Sequence, residues 1–260
     1  MEKLLKANGY NIEVFDNQSQ GQVIVFVHGL GGNYKQWLEQ IDYFTGYRII
    51  AISLQGHGGS DHPDQDEAYT MKAYGDIVVD IIDQLELKDI TWVGNSMGGV
   101  VGYEVLKRRP DVIKKLITNG TTPRIKMGKL GRGLIMMMDK ILIKLMSFEG
   151  YTKFAAKHSS YDKEAQEKVH KLFMASSPKT IISSHQVLGW YDYLDIAQKC
   201  EKPIYIIESP LDKEINKYIK AFKSSLNKIK FITFEGTGHI CNLEKPKAYN
   251  EILKGILDEN

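Results

Sequence analysis

Short apolar runs alternate along this chain with segments of helical period. The runs are rich in Val, Ile and aromatic residues, and each ends at a glycine or a polar residue. They cover 22–27, 47–54, 89–94, 115–118, 203–207 and 230–234. Because they are apolar on both faces, they predict parallel strands that helices cover from both sides. Between them, the segments 74–87, 98–107 and 247–257 carry apolar residues at helical spacing. The alternation predicts an α/β sheet, in which sites form at the carboxyl ends of the strands.

One long segment interrupts this alternation. From about Arg124 to Leu188 the pattern is helical without a convincing strand, and the segment holds six of the nine methionines. We therefore expect two parts: a main domain built from 1–123 and 189–260, and a helical cap inserted at 124–188. Flexible Met side chains line adaptable apolar pockets. Met136 and Met137 are thus candidate pocket residues, although packing of the cap onto the main domain accounts for them equally well.

Composition excludes several other classes. Hydrophobic residues make up 43% and charged residues 25% of the 260 residues, which is typical of a folded globular protein rather than a disordered one. A net charge of +2 provides no general attraction for nucleic acid. Two cysteines are too few for a disulfide framework or a structural zinc site. We expect no metal and no organic cofactor.

The sequence also gives expectations about the location of the protein and its assembly. The first residues lack the apolar core and the cleavage site of a secretory signal, so we expect a cytoplasmic protein. The longest apolar stretch, 134–146, is interrupted by Asp139, Lys140 and Lys144 and is too short to insert into a membrane. Without heptads or a long exposed apolar strand, we expect a monomer or a weak homodimer.

The sharpest chemical signal is G-x-S-x-G, which spans Gly94 to Gly98 between a predicted strand and a predicted helix. On such a tight turn a serine projects its hydroxyl out of the sheet, and the two glycines avoid collisions with neighbouring backbone. Ser96 is therefore the candidate nucleophile. The Met97 N–H, at the start of the helix, is placed to stabilise a developing oxyanion. Asn95 is a candidate pocket residue.

A second glycine-rich loop follows the first long apolar strand. It reads His28-Gly29-Leu30-Gly31-Gly32 and lacks the lysine of a phosphate-binding loop. Its glycines allow backbone N–H groups to approach a substrate oxygen. The Leu30 N–H is our candidate for the second oxyanion donor, and Gly29 is a candidate pocket residue. For His28 itself we favour a structural role.

The loops after the last two strands supply a base and an acid. His239 lies in a glycine-containing loop after the final strand and has a side chain suited to taking and returning a proton near neutral pH. Asp212 follows the preceding strand, where a carboxylate could orient that imidazole. Glu208 and Glu214 compete for the same role. Ile240, next to His239, is a further pocket candidate.

With these residues in the order Ser96, Asp212, His239, the chain resembles the α/β-hydrolase superfamily along nearly its whole length outside the insertion. The segment 28–31 resembles that family's H-G-x-G loop, 94–99 its nucleophile elbow, and 238–246 its G-H-x-x-x-x-E-x-P ending. The family's D-x-x-G-x-G-x-S-D loop matches 53–61 with Ser in place of the first Asp, and its G-x-x-D motif matches 209–212 with Ser in place of Gly. The resemblance implies a mostly parallel, eight-stranded type of sheet with flanking helices and a helical cap.

The same resemblance implies serine-nucleophile catalysis through an acyl-enzyme. We expect a small-molecule acyl substrate, a carboxylic ester with a small to medium apolar acyl or alcohol part. Alternatives on the same residues are a C–C bond hydrolase, a lactonase and a thioesterase. Arg124, at the entrance of the predicted cap, could serve the carboxylate of a C–C hydrolase substrate. A catalytically silent small-molecule binder is the alternative from another class.

Overall fold

The computed structural model describes residues 1–259 and contains one central sheet of eight strands. In spatial order these strands are β1 (Glu2–Ala7), β2 (Tyr10–Asp16), β4 (Arg48–Ile52), β3 (Val23–Val27), β5 (Ile90–Asn95), β6 (Ile113–Asn119), β9 (Ile204–Glu208) and β10 (Ile229–Thr233). The six strands expected from apolar runs are all present, with ends within a few residues of those predicted.

Strand direction determines where a site can form. Six strands run parallel to one another, namely β4, β3, β5, β6, β9 and β10. The remaining two are antiparallel, since β1 pairs with β2 and β2 with β4 in that fashion. The register pairs Val27 with Gly94 and Asn119 with both Asn95 and Ile207. The carboxyl ends of the central strands therefore meet at one edge of the sheet, as a parallel arrangement requires.

Helices cover both faces of the sheet. Alternate strand residues point to opposite faces, so Val25 and Val27 pack into one buried cluster and Ile24 and Phe26 into the other. The first cluster includes side chains from α2 (Met71–Gln84), α3 (Met97–Arg108), α7 (Leu194–Lys199) and α8 (Lys213–Phe222). The second includes side chains from α1 (Leu38–Tyr43) and α10 (Pro246–Asp258), and the short α9 (Cys241–Glu244) precedes α10.

The segment from 124 to 188, hereafter the helical segment, consists mainly of three helices. They are α4 (Lys129–Ser159), α5 (Lys163–Phe173) and α6 (Pro178–Leu188). The helix α4 is kinked at Ser147, whose φ is 61° and ψ is 167°. One expectation is corrected here: β7 (Arg124–Lys126) is a strand, and it pairs antiparallel with β8 (Trp190–Asp192) at the base of the segment. Within residues 1–259, no helix combines the length and the apolar content needed to cross a membrane.

The hairpin of β1 and β2 was not predicted from the sequence. In β1 the charged residues Glu2, Lys3 and Lys6 surround two leucines, so the segment has no continuous apolar run. Its backbone is held by pairing along the edge of the sheet rather than by burial of both faces. Such an edge position tolerates polar side chains that a central parallel strand excludes.

Candidate active site

Ser96 lies on the turn between β5 and α3. Its backbone has a φ of 50° and a ψ of −114°, a conformation that L-residues rarely adopt. Such strain persists only where the surrounding structure enforces it, and it is common at active sites. The Ser96 carbonyl oxygen accepts a hydrogen bond from the Thr121 hydroxyl, and its N–H donates to the Asn119 carbonyl oxygen at 2.8 Å. These contacts hold the serine in the strained turn.

The glycines on either side of Ser96 are required by space. A Cβ on Gly94 would lie 2.5 Å from backbone atoms of Gly98, and a Cβ on Gly98 would lie 2.1 Å from the carbonyl oxygen of Val27. Neither contact is compatible with any side chain. The Gly98 carbonyl oxygen also accepts a hydrogen bond of 3.0 Å from the Trp92 indole N–H. The turn is therefore packed against both the end of β3 and the first turn of α3.

His239 and Asp212 form a hydrogen-bonded pair. The Nδ1 atom of His239 lies 2.7 Å from Oδ2 of Asp212. The other oxygen of that carboxylate accepts the Ile215 N–H at 3.3 Å and so caps α8. Because a carboxylate only accepts hydrogen bonds, Nδ1 of the imidazole is the donor. The Nε2 atom of His239 is left for a substrate or a nucleophile.

Charge in this pair is set by opposing effects. Burial raises the pKa of Asp212, but the charge of His239 and its hydrogen bond outweigh burial and bring that pKa below its ordinary value. Burial lowers the pKa of His239, but the charge and hydrogen bond of Asp212, assisted by Glu244, outweigh burial and raise the pKa of the imidazole. The pair thus combines an ionised carboxylate with a basic imidazole, the combination that a general base requires.

The competing acids lie elsewhere. Glu208 forms an ion pair with Lys223 at 2.5 Å. Glu214 is exposed at the first turn of α8 and contributes to the wall of the cavity described below. Of the three carboxylates considered from the sequence, Asp212 is the one that contacts His239.

His28 is buried and structural. Its Nδ1 donates to the Gly29 carbonyl oxygen at 2.7 Å, and its Nε2 accepts the Leu54 N–H at 2.9 Å. Burial lowers the pKa of His28 to about 4, although the bond to Gly29 opposes this. A neutral imidazole with both nitrogens engaged is unsuited to proton transfer. It ties the glycine-rich loop to the neighbouring strand end instead.

That loop brings backbone donors close to Ser96. A Cβ on Gly29 would lie 3.2 Å from the Cβ of Ser96, so the loop passes close beside the serine. Leu30 follows Gly29 in the loop, and both line the same cavity as Ser96. Met97 is fully buried as the first residue of α3. Its N–H belongs to the first turn of a twelve-residue helix, where N–H groups have no intrahelical partner and the helix dipole favours negative charge.

A network of buried amide side chains connects these loops. The Gln36 side chain accepts the Gly29 N–H at 3.2 Å and donates to Oδ1 of Asn95 at 2.9 Å. Asn95 in turn donates to the His239 carbonyl oxygen at 3.1 Å. Asn242 donates to the Gln36 carbonyl oxygen at 3.1 Å. The network joins the glycine-rich loop at 28–32, the turn that carries Ser96 and the His239 loop, and sequence reasoning missed it apart from Asn95.

A cavity of about 370 Å³ lies where the strand ends meet the helical segment. Its walls include Ser96 and His239 together with the predicted pocket residues Gly29, Asn95 and Ile240. Further apolar lining comes from Val100, Ile125, Met127, Ile135, Val169, Leu172, Phe173, Leu188, Ile215 and Leu243. The residues brought together around this space thus come from the main sheet and from the helical segment alike.

The two methionines predicted for the pocket are placed differently. Met137 is 50% exposed on α4, and Met136 is half-buried. Met127 and Ile135 line the cavity in their stead. The pattern of the helix alone did not show which of its faces turns inward. Arg124 does not line the cavity either, since its guanidinium pairs with Asp192 at 2.7 Å across the β7–β8 strands.

Among residues 1–259, no group of three or more His, Cys, Asp and Glu side chains is arranged to hold a metal ion. The groups assembled around the cavity are instead a serine hydroxyl, a basic imidazole oriented by a carboxylate, and backbone N–H donors. Such an arrangement is chemically suited to nucleophilic attack on an acyl carbon.

Comparison with known proteins identifies the class. Residues 22–246 match the family model for the alpha/beta hydrolase fold, and the chain belongs to that family. The 3-oxoadipate enol-lactonase 2 of Acinetobacter baylyi is 23% identical over 247 residues, which cover 92% of this chain and 90% of the relative. A strigolactone esterase of Pisum sativum is 32% identical over 120 residues, covering 45% of this chain and 44% of that protein.

Solved structures agree on the fold. The esterase EaEST of Exiguobacterium antarcticum superimposes with a TM-score of 0.88 at 22% identity, covering 100% of both chains. The enol-lactonase of Burkholderia xenovorans LB400 superimposes with a TM-score of 0.86 at 17% identity, covering 99% of this chain and 100% of the other. The eight-stranded sheet and its flanking helices are therefore those of an α/β-hydrolase.

Proposed function

We propose that this protein is a serine hydrolase that cleaves carboxylic esters with a small to medium apolar acyl or alcohol part. The observation that carries the proposal is the placement on one largely apolar cavity of Ser96 and of His239, whose imidazole is hydrogen-bonded to Asp212. The strained backbone of Ser96 supports it, because residues held in such conformations cluster at active sites.

In the proposed reaction, Nε2 of His239 takes the proton of the Ser96 hydroxyl while the serine oxygen attacks the acyl carbon. The N–H groups of Leu30 and Met97 stabilise the oxyanion, and loss of one such donor costs roughly 3–4 kcal/mol where it has been measured. His239 returns the proton to the leaving alcohol, which leaves an acyl-enzyme. Water activated by the same imidazole then releases the acid and restores Ser96. Asp212 keeps the imidazole oriented and stabilises its charged form.

The walls of the cavity support the apolar character of the substrate. Most of its lining is aliphatic or aromatic, and it is large enough for a ligand of modest size. We further propose that the helical segment acts as a cap, so that 1–123 and 189–260 form the catalytic domain and 124–188 covers the substrate. The contribution of Ile135, Leu172 and Phe173 to the cavity wall supports this division.

Lactone hydrolysis is the second candidate. A lactone is a cyclic ester, so Ser96 and His239 would act on it by the same steps. The A. baylyi relative, matched over 92% of this chain, is named as an enol-lactonase, which favours this alternative over the thioester and C–C substrates. The ion pair of Arg124 with Asp192 argues against its service to a substrate carboxylate.

A chain-length series of p-nitrophenyl esters from acetate to decanoate tests the proposal, run beside a simple lactone and a dienoic diketone. We expect ester hydrolysis, its loss in Ser96→Ala, and covalent labelling of Ser96 by a fluorophosphonate. Ser225→Ala, at an exposed serine that does not line the cavity, is the matched control and should retain full activity. Turnover surviving in Ser96→Ala would overturn the mechanism. Absence of both labelling and turnover would instead favour the silent binder, and a much faster diketone would favour C–C hydrolysis.

A further inference from the structure

The helical segment carries a second Asp–His pair, on the wall of the same cavity. Nδ1 of His185, in the last turn of α6, lies 2.8 Å from Oδ2 of Asp139 on α4. The Tyr151 hydroxyl donates to the other oxygen of that carboxylate at 3.0 Å. Asp139 is 4% exposed, whereas His185 and Tyr151 both line the cavity that contains Ser96. The proposed reaction uses none of these three residues.

The atoms of this cluster that keep a free hydrogen-bonding position indicate which chemical group the cluster binds. A carboxylate only accepts hydrogen bonds, so Asp139 occupies both the Tyr151 hydroxyl proton and the Nδ1 proton of His185. What remains is a lone pair on the Tyr151 oxygen and the Nε2 atom of His185. A neutral imidazole with its proton on Nδ1 presents Nε2 as an acceptor. Both remaining atoms therefore accept a hydrogen bond. A hydroxyl group donates to Nε2 of a neutral imidazole and accepts from Nε2–H of a protonated one.

The position of Asp139 supports a binding role over an incidental one. A buried carboxylate is costly unless it is fully hydrogen-bonded, and a purely apolar cavity wall would need no such group. Here the buried carboxylate holds the Tyr151 and His185 side chains in fixed orientations on a wall that is mostly apolar. Few, well-placed polar groups in an apolar cavity are the usual means of recognising a ligand.

We infer that Asp139, Tyr151 and His185 form a polar subsite that binds a hydroxyl group of the substrate, remote from the bond that is cleaved. This inference rests on the proposed ester hydrolysis and narrows its substrate to hydroxyl-bearing esters. His185 and Tyr151 are the binding residues, and Asp139 is a positioning residue that acts through them.

Pairs of esters that differ by a hydroxyl in place of a methyl test the inference. In the acyl part, p-nitrophenyl 6-hydroxyhexanoate is compared with the heptanoate, and shorter and longer pairs shift the position of the hydroxyl. In the alcohol part, hydroxyalkyl benzoates are compared with their alkyl counterparts. We expect the wild type to favour the hydroxyl member of at least one pair by about tenfold in kcat/KM, the value of one net hydrogen bond.

His185→Asn is the decisive variant. The Asn amide nitrogen occupies about the position of Nδ1, so it retains a donor for Asp139 but removes Nε2. We expect the hydroxyl preference, taken as the ratio of kcat/KM within each pair, to fall to near unity, whatever change the substitution makes to the rates on both members. Tyr151→Phe should reduce the preference partly. His158→Asn is the matched control, since His158 is exposed on α4 and bonds only to the Phe154 carbonyl oxygen there.

The outcomes separate the two proposals. Equal rates within every pair, or a preference that survives both His185→Asn and Tyr151→Phe, would overturn the subsite while leaving ester hydrolysis intact. Absence of hydrolysis of every ester, together with no fluorophosphonate labelling of Ser96, would instead remove the proposed function and the subsite with it. A circular dichroism spectrum and a thermal midpoint like those of the wild type show that a variant is folded.

Discussion

Replacement of Gln36 by leucine tests whether the buried amide network holds the site together. Gln36 is 3% exposed, and its side chain bonds to the Gly29 N–H at 3.2 Å and to Oδ1 of Asn95 at 2.9 Å. A longer contact of 3.4 Å reaches Oδ1 of Asn242. Leucine has a similar size but no polar atoms, so the substitution removes the partners without opening a large cavity.

The expected magnitude follows from the groups left behind. Gly29 is buried and Asn95 is 1% exposed, so the Gly29 N–H and Oδ1 of Asn95 have little access to replacement water. Each buried polar group left without a partner costs about 1–3 kcal/mol. Two well-formed bonds lost to Gln36→Leu therefore predict a decrease of about 2–6 kcal/mol in the free energy of unfolding. That range is a large share of the roughly 5–15 kcal/mol available to a typical protein.

Urea denaturation followed by circular dichroism measures this loss, and p-nitrophenyl ester hydrolysis measures its effect on the site. The matched control is Gln84→Leu. Gln84 also makes two side-chain hydrogen bonds, to the Lys6 carbonyl oxygen and to Asp80, but it is exposed, so water replaces its bonds and the change should stay within about 0.5 kcal/mol. A decrease below 1 kcal/mol for Gln36→Leu, with activity unchanged, would refute the structural role of the network.

Two further predictions concern the turn that carries Ser96 and the imidazole of His239. Gly98→Ala places a Cβ 2.1 Å from the Val27 carbonyl oxygen, so it should abolish ester hydrolysis and lower the thermal midpoint. The control is Gly255→Ala in α10, where a Cβ meets open space, and it should be neutral or stabilise the protein by up to about 1 kcal/mol. Because Asp212 raises the pKa of His239, the acid limb of the kcat/KM profile should lie above the ordinary value of 6.5. Asp212→Asn should shift that limb to lower pH and reduce kcat by roughly 10³- to 10⁴-fold; an unmoved limb in the pH profile would contradict the assignment.

The elements most reliably predicted from the sequence are those whose residues are buried on both faces. The strands β3, β5 and β9 are continuous apolar runs because helices pack on each side of them, and this leaves a strong local pattern. The hairpin of β1 and β2 leaves a weak one, since edge pairing stabilises its backbone while charged side chains face solvent. Local patterns therefore report burial more directly than they report strand structure itself.

The residues of the candidate site likewise differ in whether a local pattern predicts them. Ser96 was identified because its turn needs glycines at fixed offsets, which is a local requirement. The selection of Asp212 over Glu208 and Glu214 depends on which carboxylate reaches His239, and only the assembled loops decide that. The contact between Gln36 and Asn242 joins residues 206 positions apart, and no short-range pattern encodes it.

Asp139 shows how a feature of the sequence changes meaning once the helix is placed. Along the chain it is one of three charges in an apolar stretch, and with Lys140 and Lys144 it argues only against membrane insertion. In the structure the two lysines are exposed while Asp139 is buried, so the three charges lie on different sides of α4. A carboxylate is retained in such a place only where donors surround it, and here those donors are side chains of the cavity wall. The charge that interrupts the apolar pattern of the helical segment thus orients the polar groups available to a substrate.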